Sequence, residues 1–237
     1  MQATAPRRFY RTAAAQKGES GWNVALDGKL LRSPGKLALD LPSRALAQAI
    51  AAEWDAQSEH VRPHSMPLMQ LAATAIDRVR PERARIVPEL AGYGATDLVC
   101  YRAAEPPVLV EREAQAWDAL LDWLRRRYDV SLLTTSGIVA VAQPPATMEA
   151  LTRVIDGHDD FALAALATLV HAAGSLVIGL AVMEGEITPE QAAHAAQLDE
   201  LYQSERWGED QEAIAHRVAQ LADLVAARRF LDLLAQD

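Results

Sequence analysis

From Phe161 to Met183, twenty-three consecutive residues contain no Asp, Glu, Lys or Arg, and nothing else in the chain limits its fold so sharply. A run this apolar has to be buried in a protein core or in a bilayer, and about 20 helical residues suffice to span the hydrocarbon. Its composition speaks against the bilayer. Seven of the residues are Ala, and Thr168, His171, Gly174, Ser175 and Gly179 dilute the remainder. The flanks, Asp159-Asp160 and Glu184 to Glu186, are acidic on both sides, without the Lys and Arg bias that orients a span. The run reads as the buried central helix of a bundle, with its glycines as close-packing sites. No stable membrane insertion is expected.

At 237 residues the chain can bury a sizeable core in one domain or two. Half of it is apolar but only 5% is aromatic, and the Ala-rich remainder favours packed helices. Cys100 is the only cysteine, so no internal disulfide forms, and a lone thiol reads as a small core residue. The net charge of −9 argues against a nucleic-acid partner. The charge is also uneven: residues 1–36 carry seven Lys or Arg against two acids, whereas 184–237 carry twelve acids against four Arg. The acidic end suits a basic partner surface, or it simply keeps the surface solvated. The first residues are Arg- and Ala-rich with no apolar signal core behind them, so 1–8 read as a short disordered lead and not as a cleaved address.

Taken in order, Trp22 to Leu26 alternates, Asp27-Gly28 follows, and Lys29 to Arg32 resumes. Asp-Gly between two such runs predicts a tight hairpin. After Ser33-Pro34-Gly35, the alternation of Leu37, Leu39 and Leu41 predicts a third strand, so the opening is a β-meander. Ser43 is placed as the N-cap of a helix carrying Leu46, Ile50 and Trp54 on one face. Further helices are predicted over Leu68 to Val79, Ile86 to Tyr93, Leu109 to Arg127 and Thr147 to Ile155. Thr96 to Tyr101 fits either a strand or an extended connection, and Ile138 to Val141 a short strand. The last helix, from about residue 209, has Ile214, Val218, Leu221, Leu224 and Val225 as its expected inner stripe. The fold class is therefore α+β: a small N-terminal domain containing the β-meander, over 9–80, then a larger, mainly helical bundle domain over 81–237.

Thr188 to Arg217 predicts a helical corner. Thr188, Pro189 and Gln191 make an N-terminal capping box. Leu198, Leu201 and Tyr202 form an apolar stripe, while Asp199, Glu200 and Glu205 fall beside or away from it and should meet solvent. Gly208 ends the helix, and Glu209-Asp210 stand where a new helix N-terminus favours negative charge. The result is an acidic corner with Trp207 at its apex.

L-D-E-L-Y-Q-S-E-R-W-G-E-D in this corner resembles the signature of the ATP synthase assembly chaperones that serve the alpha subunit of the catalytic head. Four more stretches resemble the same family in the same order: V-A-L-D-G-K-L-L-R-S-P at 24–34, A-I-A-A-E-W-D-A-Q-S-E at 49–59, M-P-L-M-Q-L-A-A-T-A-I-D at 66–77 and G-S-L-V-I-G-L-A at 174–181. The resemblance covers nearly the whole chain from Phe9 to about Arg217. It implies a chaperone that acts by binding, without a cofactor, on the unassembled alpha subunit. It also implies the mitochondrial matrix for eukaryotic relatives and the cytoplasm for a bacterial member, which the short N-terminus fits. The partner-binding residues it points to are Glu200, Glu205, Trp207, Glu209 and Asp210, with the key acid open between Glu200 and Glu205.

Enzymatic signatures are missing. No P-loop, no complete dinucleotide fingerprint, no H-E-x-x-H and no G-x-S-x-G is present. One cluster offers an alternative: Glu53, Glu59, His60 and His64 could serve a metal-dependent small-molecule enzyme. Pro63 between the two histidines opposes a regular helix across them. The expectation is a non-enzyme with no catalytic, cofactor or metal site.

Overall fold

The computed structural model describes residues 6–137, 139–208 and 210–236. Contacts divide the chain into two units: Met1–Arg83 with Asp160–Ala165 and Arg229–Asp237, and Ala84–Asp159 with Leu166–Arg228. The sequence reading places one boundary near residue 80. The two later segments returned to the first unit have no local signature that a linear reading could use.

In the first unit, β1 (Ala13–Lys17), β2 (Trp22–Leu26) and β3 (Lys29–Leu30) form an antiparallel sheet in that order. Asp27 and Gly28 both take positive φ, 47° and 80°, as the tight turn between β2 and β3 requires. The meander is shifted from its expected position. β1 is an additional first strand, and the Leu37 to Leu41 stretch contributes only isolated bridges, Arg32 to Ala38 and Trp22 to Leu41. Leu39 and Leu41 are still buried, whereas Leu37 is exposed.

Helix α1 (Arg44–Asp55) is capped by Ser43, whose hydroxyl accepts from Leu46 N and donates to Leu233 O. It packs Leu46, Ile50 and Trp54 against the sheet and against α2 (Pro67–Thr74). A π-helical turn at Ala75–Val79 then runs directly into α3 (Arg80–Gly92). Three carboxylates bind main-chain N–H groups here. Glu53 accepts from Leu68 N and Met69 N at 2.9 Å each, Asp77 from Gly35 N at 2.8 Å and Ser33 Oγ at 2.5 Å, and Asp27 from Arg11 N and Thr12 N. Arg7 and Arg8, expected in a disordered lead, are held: Arg7 bridges to His60, and Arg8 donates to Asp55 O, Gln57 O and Arg11 O. Residues 1–5 lie outside the described residues.

The second unit is helical. Leu98–Cys100 forms a 3₁₀ turn, and β4 (Tyr101–Arg102) pairs in parallel with β5 (Thr135–Ser136). The short strand therefore precedes the expected Ile138 to Val141; Ile138 lies outside the described residues, and 139–141 are not strand. Helices α4 (Pro107–Tyr128) and α5 (Pro145–Asp156) stand where their patterns predicted. The uncharged run is not one helix. It divides into α6 (Asp160–Ala173) and α7 (Leu176–Glu184) at Gly174, φ +64°, and Ser175, whose hydroxyl caps Ile178 N. No helix among the described residues is long and apolar enough to cross a membrane.

Ser175 is itself held by Asp97, a fully buried carboxylate that also accepts from Leu176 N and Val177 N at the start of α7. Two N–H groups of the helix N-terminus thus find an internal acceptor. Burial nevertheless pushes the Asp97 carboxyl up to about 6 against these hydrogen bonds. Burial also pushes the Cys100 thiol up to about 12, which suits a core residue and not a nucleophile.

Candidate functional site

The corner forms from α8 (Pro189–Ala196), α9 (Leu198–Trp207) and the start of α10 (Gln211–Leu234). The capping box of Thr188 and Gln191 is present in full. The expected single helix from Thr188 is interrupted at Gln197, where φ −106° and ψ 11° leave the helical range. Gly208, with φ +88°, then separates α9 from α10. Tyr202 and Leu198 are buried, and the Trp117 indole of α4 donates to Ala195 O at 2.9 Å, which fixes α8 to α4.

Of the five residues expected to bind a partner, Glu200, Glu205, Trp207 and Asp210 are exposed, and Glu209 lies outside the described residues. Trp207 is 78% exposed, the most of any large apolar side chain described. The two acids sit in different grooves. Glu205 receives both its hydrogen bonds from Arg112 at 2.9 Å, and lines a groove of about 760 Å³ with Arg112, Gln115, His194 and Leu201. Glu200 lines a second groove of about 490 Å³ with Trp207, Asp210, Glu212, His216 and Arg217. Asp210 Oδ1 meanwhile accepts from Glu212 N and Ala213 N at the start of α10.

Asp199 departs from its expected exposure. Its Oδ1 and Glu113 Oε1 of α4 are both buried without a hydrogen-bond donor, and the two carboxyls face each other. Glu113 Oε2 accepts from Ala103 N at 2.8 Å. Burial, with the Asp199 contact adding to it, pushes the Glu113 carboxyl up to about 7 against the pull of Ala103 N and Arg102. No local pattern marks Glu113 as inward, because the pair exists only once α4 and α9 have packed.

The alternative cluster does not assemble. Glu53 is committed to the start of α2, Glu59 pairs with Arg7 at 3.6 Å, His60 lies in a bridge and His64 in a turn. No group of three or more metal-ligating side chains occurs among the described residues.

The model of the ATP12 chaperone protein family matches residues 7–125. The chain belongs to the ATP12 family of ATP synthase assembly chaperones. Protein atp12, mitochondrial, of Schizosaccharomyces pombe is 27% identical to it over 219 residues, covering 87% of this chain and 75% of that relative. The crystal structure of Atp12 from Paracoccus denitrificans is 41% identical, covers 97% of this chain and 98% of that one, and superposes with a TM-score of 0.93. An Agrobacterium tumefaciens protein, solved as a candidate chaperone, is 38% identical, with a TM-score of 0.92 and coverage of 97% and 86%. ATP12 proteins are chaperones and not enzymes, which agrees with the scattered Glu53, Glu59, His60 and His64.

Proposed function

We propose that this ATP12 chaperone binds the unassembled alpha subunit of the ATP synthase catalytic head, using the acidic corner of α9 and α10, and that it works in the cytoplasm of a bacterium. The observation that carries this reading is Trp207, standing 78% exposed within a groove that also presents Glu200, Asp210 and Glu212. Leaving a tryptophan in water forgoes its burial free energy, and aromatic side chains are the residues on which interfaces most depend. An unassembled ring subunit exposes a large apolar and charged face, and masking it reversibly requires a complementary surface and no nucleotide.

The test is recovery from cells. Tagged protein, purified from cells depleted of the beta subunit, is expected to bring the alpha subunit with it in comparable amount. Recovery of no alpha subunit under those conditions overturns the assignment.

A further inference from the structure

Of the five residues expected as the inner stripe of α10, Leu224 is fully buried, and the others lie on a more exposed face. Ile214, Val218 and Val225 are 40%, 64% and 41% exposed, and Leu221 is half-buried. At about 100° per residue these four lie within about 60° of arc. The inward face of the same segment is turned roughly 120° away and consists of Gln220, Leu224 and Ala227. Leu224 and Ala227 are fully buried, and Gln220 donates to Ala172 O while accepting from Gln197. Arg228 beside them donates to Val182 O and Met183 O at the end of α7. This segment is therefore held on its inward side by polar anchors and by Leu224 and Ala227, while three of the four positions of its aliphatic stripe stand 40–64% exposed.

The spacing 214, 218, 221, 225 is that of a coiled-coil seam, with β-branched Val218 and Val225 at one position and Ile214 and Leu221 at the other. The combination of Val218 and Val225 with Leu221 favours pairing with a single further helix, and Ile214 at the end of the seam departs from it. Exposed Ala215 and Ala222 flank the seam and allow close approach. From Ile214 to Val225 the strip is about 17 Å long and about 10 Å wide. Alone it falls well short of the roughly 800 Å² per partner that a stable dimer buries, which argues against a second copy as its occupant. At its N-terminal end the seam adjoins the groove where Trp207 stands among Glu200, Asp210 and Glu212, with His216 and Arg217 as its basic members. An exposed indole beside three carboxylates favours a cation over the ring.

We infer that the outer face of α10 seats one amphipathic helix of the client, its aliphatic seam against Ile214, Val218, Leu221 and Val225 and a Lys or Arg over Trp207. This rests on the reading that the chain holds an unassembled subunit, and it extends the docking surface from the acidic corner along α10.

The experiment compares the Kd of the isolated alpha subunit for the intact protein, the V218E/V225E variant, W207A and D223K. Asp223 lies on the far side of α10 from the seam and serves as the control. The expected result is a loss of tenfold or more for V218E/V225E and several-fold for W207A, with D223K unchanged. Thermal midpoints of all four should agree within about 2 °C. Undiminished affinity of V218E/V225E overturns the inference while leaving the wider reading intact, whereas failure of the intact protein to bind overturns both. A concentration-dependent dimer that V218E/V225E abolishes also overturns it, because the seam then belongs to a second copy.

Discussion

Ser175 and Asp97, 78 residues apart in the chain, share a fully buried hydrogen bond of 2.6 Å at the break in the uncharged run. The same carboxylate accepts from the first two N–H groups of α7, and Ser175 caps Ile178 N. One buried acid thus holds the entry of the most buried helix in the second unit.

Asp97→Ala strips the acceptor from two buried N–H groups and from Ser175, and is expected to cost about 3 kcal/mol or more. Ser175→Ala removes the cap but leaves the carboxylate in place, at about 1–2 kcal/mol. Denaturant midpoints at constant m-value measure both. Equal losses for the two would contradict the dominant role given to the carboxylate.

Gly179 approaches the adjoining helix so closely that an added Cβ would meet Val170 Cγ2 at 2.8 Å and its backbone N at 3.2 Å. Gly179→Ala is therefore expected to lose about 1–3 kcal/mol through overpacking, although Ala is the better helix former. A thermal midpoint at or above that of the parent would contradict this.

Glu113 gives the pH dependence. Its folded pKa of about 7 lies above the ordinary 4.5, so between those values the folded state binds more protons than the unfolded one. Its stabilising contribution is complete below about 4.5 and is lost as pH rises through 7. Asp97, raised from 3.8 to about 6, acts with the same sign in a lower window. Glu113→Gln mimics the protonated form, so it should flatten the decline between about pH 4.5 and 7 and exceed the parent at pH 8 by between about 1 and 3 kcal/mol. Parallel stability curves for the two proteins would sink this account of the carboxyl pair.

Glu200 and Glu205 diverge by about 140° around α9, and the grooves they line are different. Glu205 is already engaged by Arg112, whereas Glu200 shares its groove with Trp207. Glu200→Lys is expected to weaken alpha-subunit binding several-fold or more, because a like charge across an interface costs up to several kcal/mol. Glu205→Lys breaks an exposed ion pair, typically worth under ~1 kcal/mol, and should change binding little. Titration calorimetry with isolated alpha subunit measures both. The reverse order of effects would move the contact to the groove of Glu205.

Much of this was legible because the signals were local. The Asp27-Gly28 turn, the caps at Ser43 and Thr188, the stop at Gly208 and the corner with Trp207 at its apex depend on a few adjacent residues. What the chain concealed was tertiary. Within Phe161 to Met183, helical periodicity runs through Gly174 and Ser175, and the break is favourable only because distant Asp97 receives the new N-terminus. The aliphatic periodicity of α10 was correctly helical and Leu224 does face inward, but Ile214, Val218 and Val225 are turned toward solvent, since Gln220 and Arg228 anchor the other side through partners far away in sequence. Asp199 reads as a surface acid until Glu113 is placed beside it. β1 went unseen because Ala13 to Lys17 carries almost no alternation, and pairing with β2 alone makes it a strand.

Light scattering from the isolated alpha subunit tests the central claim most directly. The reference is the scattering of the subunit diluted from denaturant alone; with an equimolar amount of this protein present and no nucleotide added, scattering is expected to fall to a small fraction of that level. Scattering that stays unchanged even at several-fold molar excess would contradict the assignment of this chain as a chaperone of the alpha subunit.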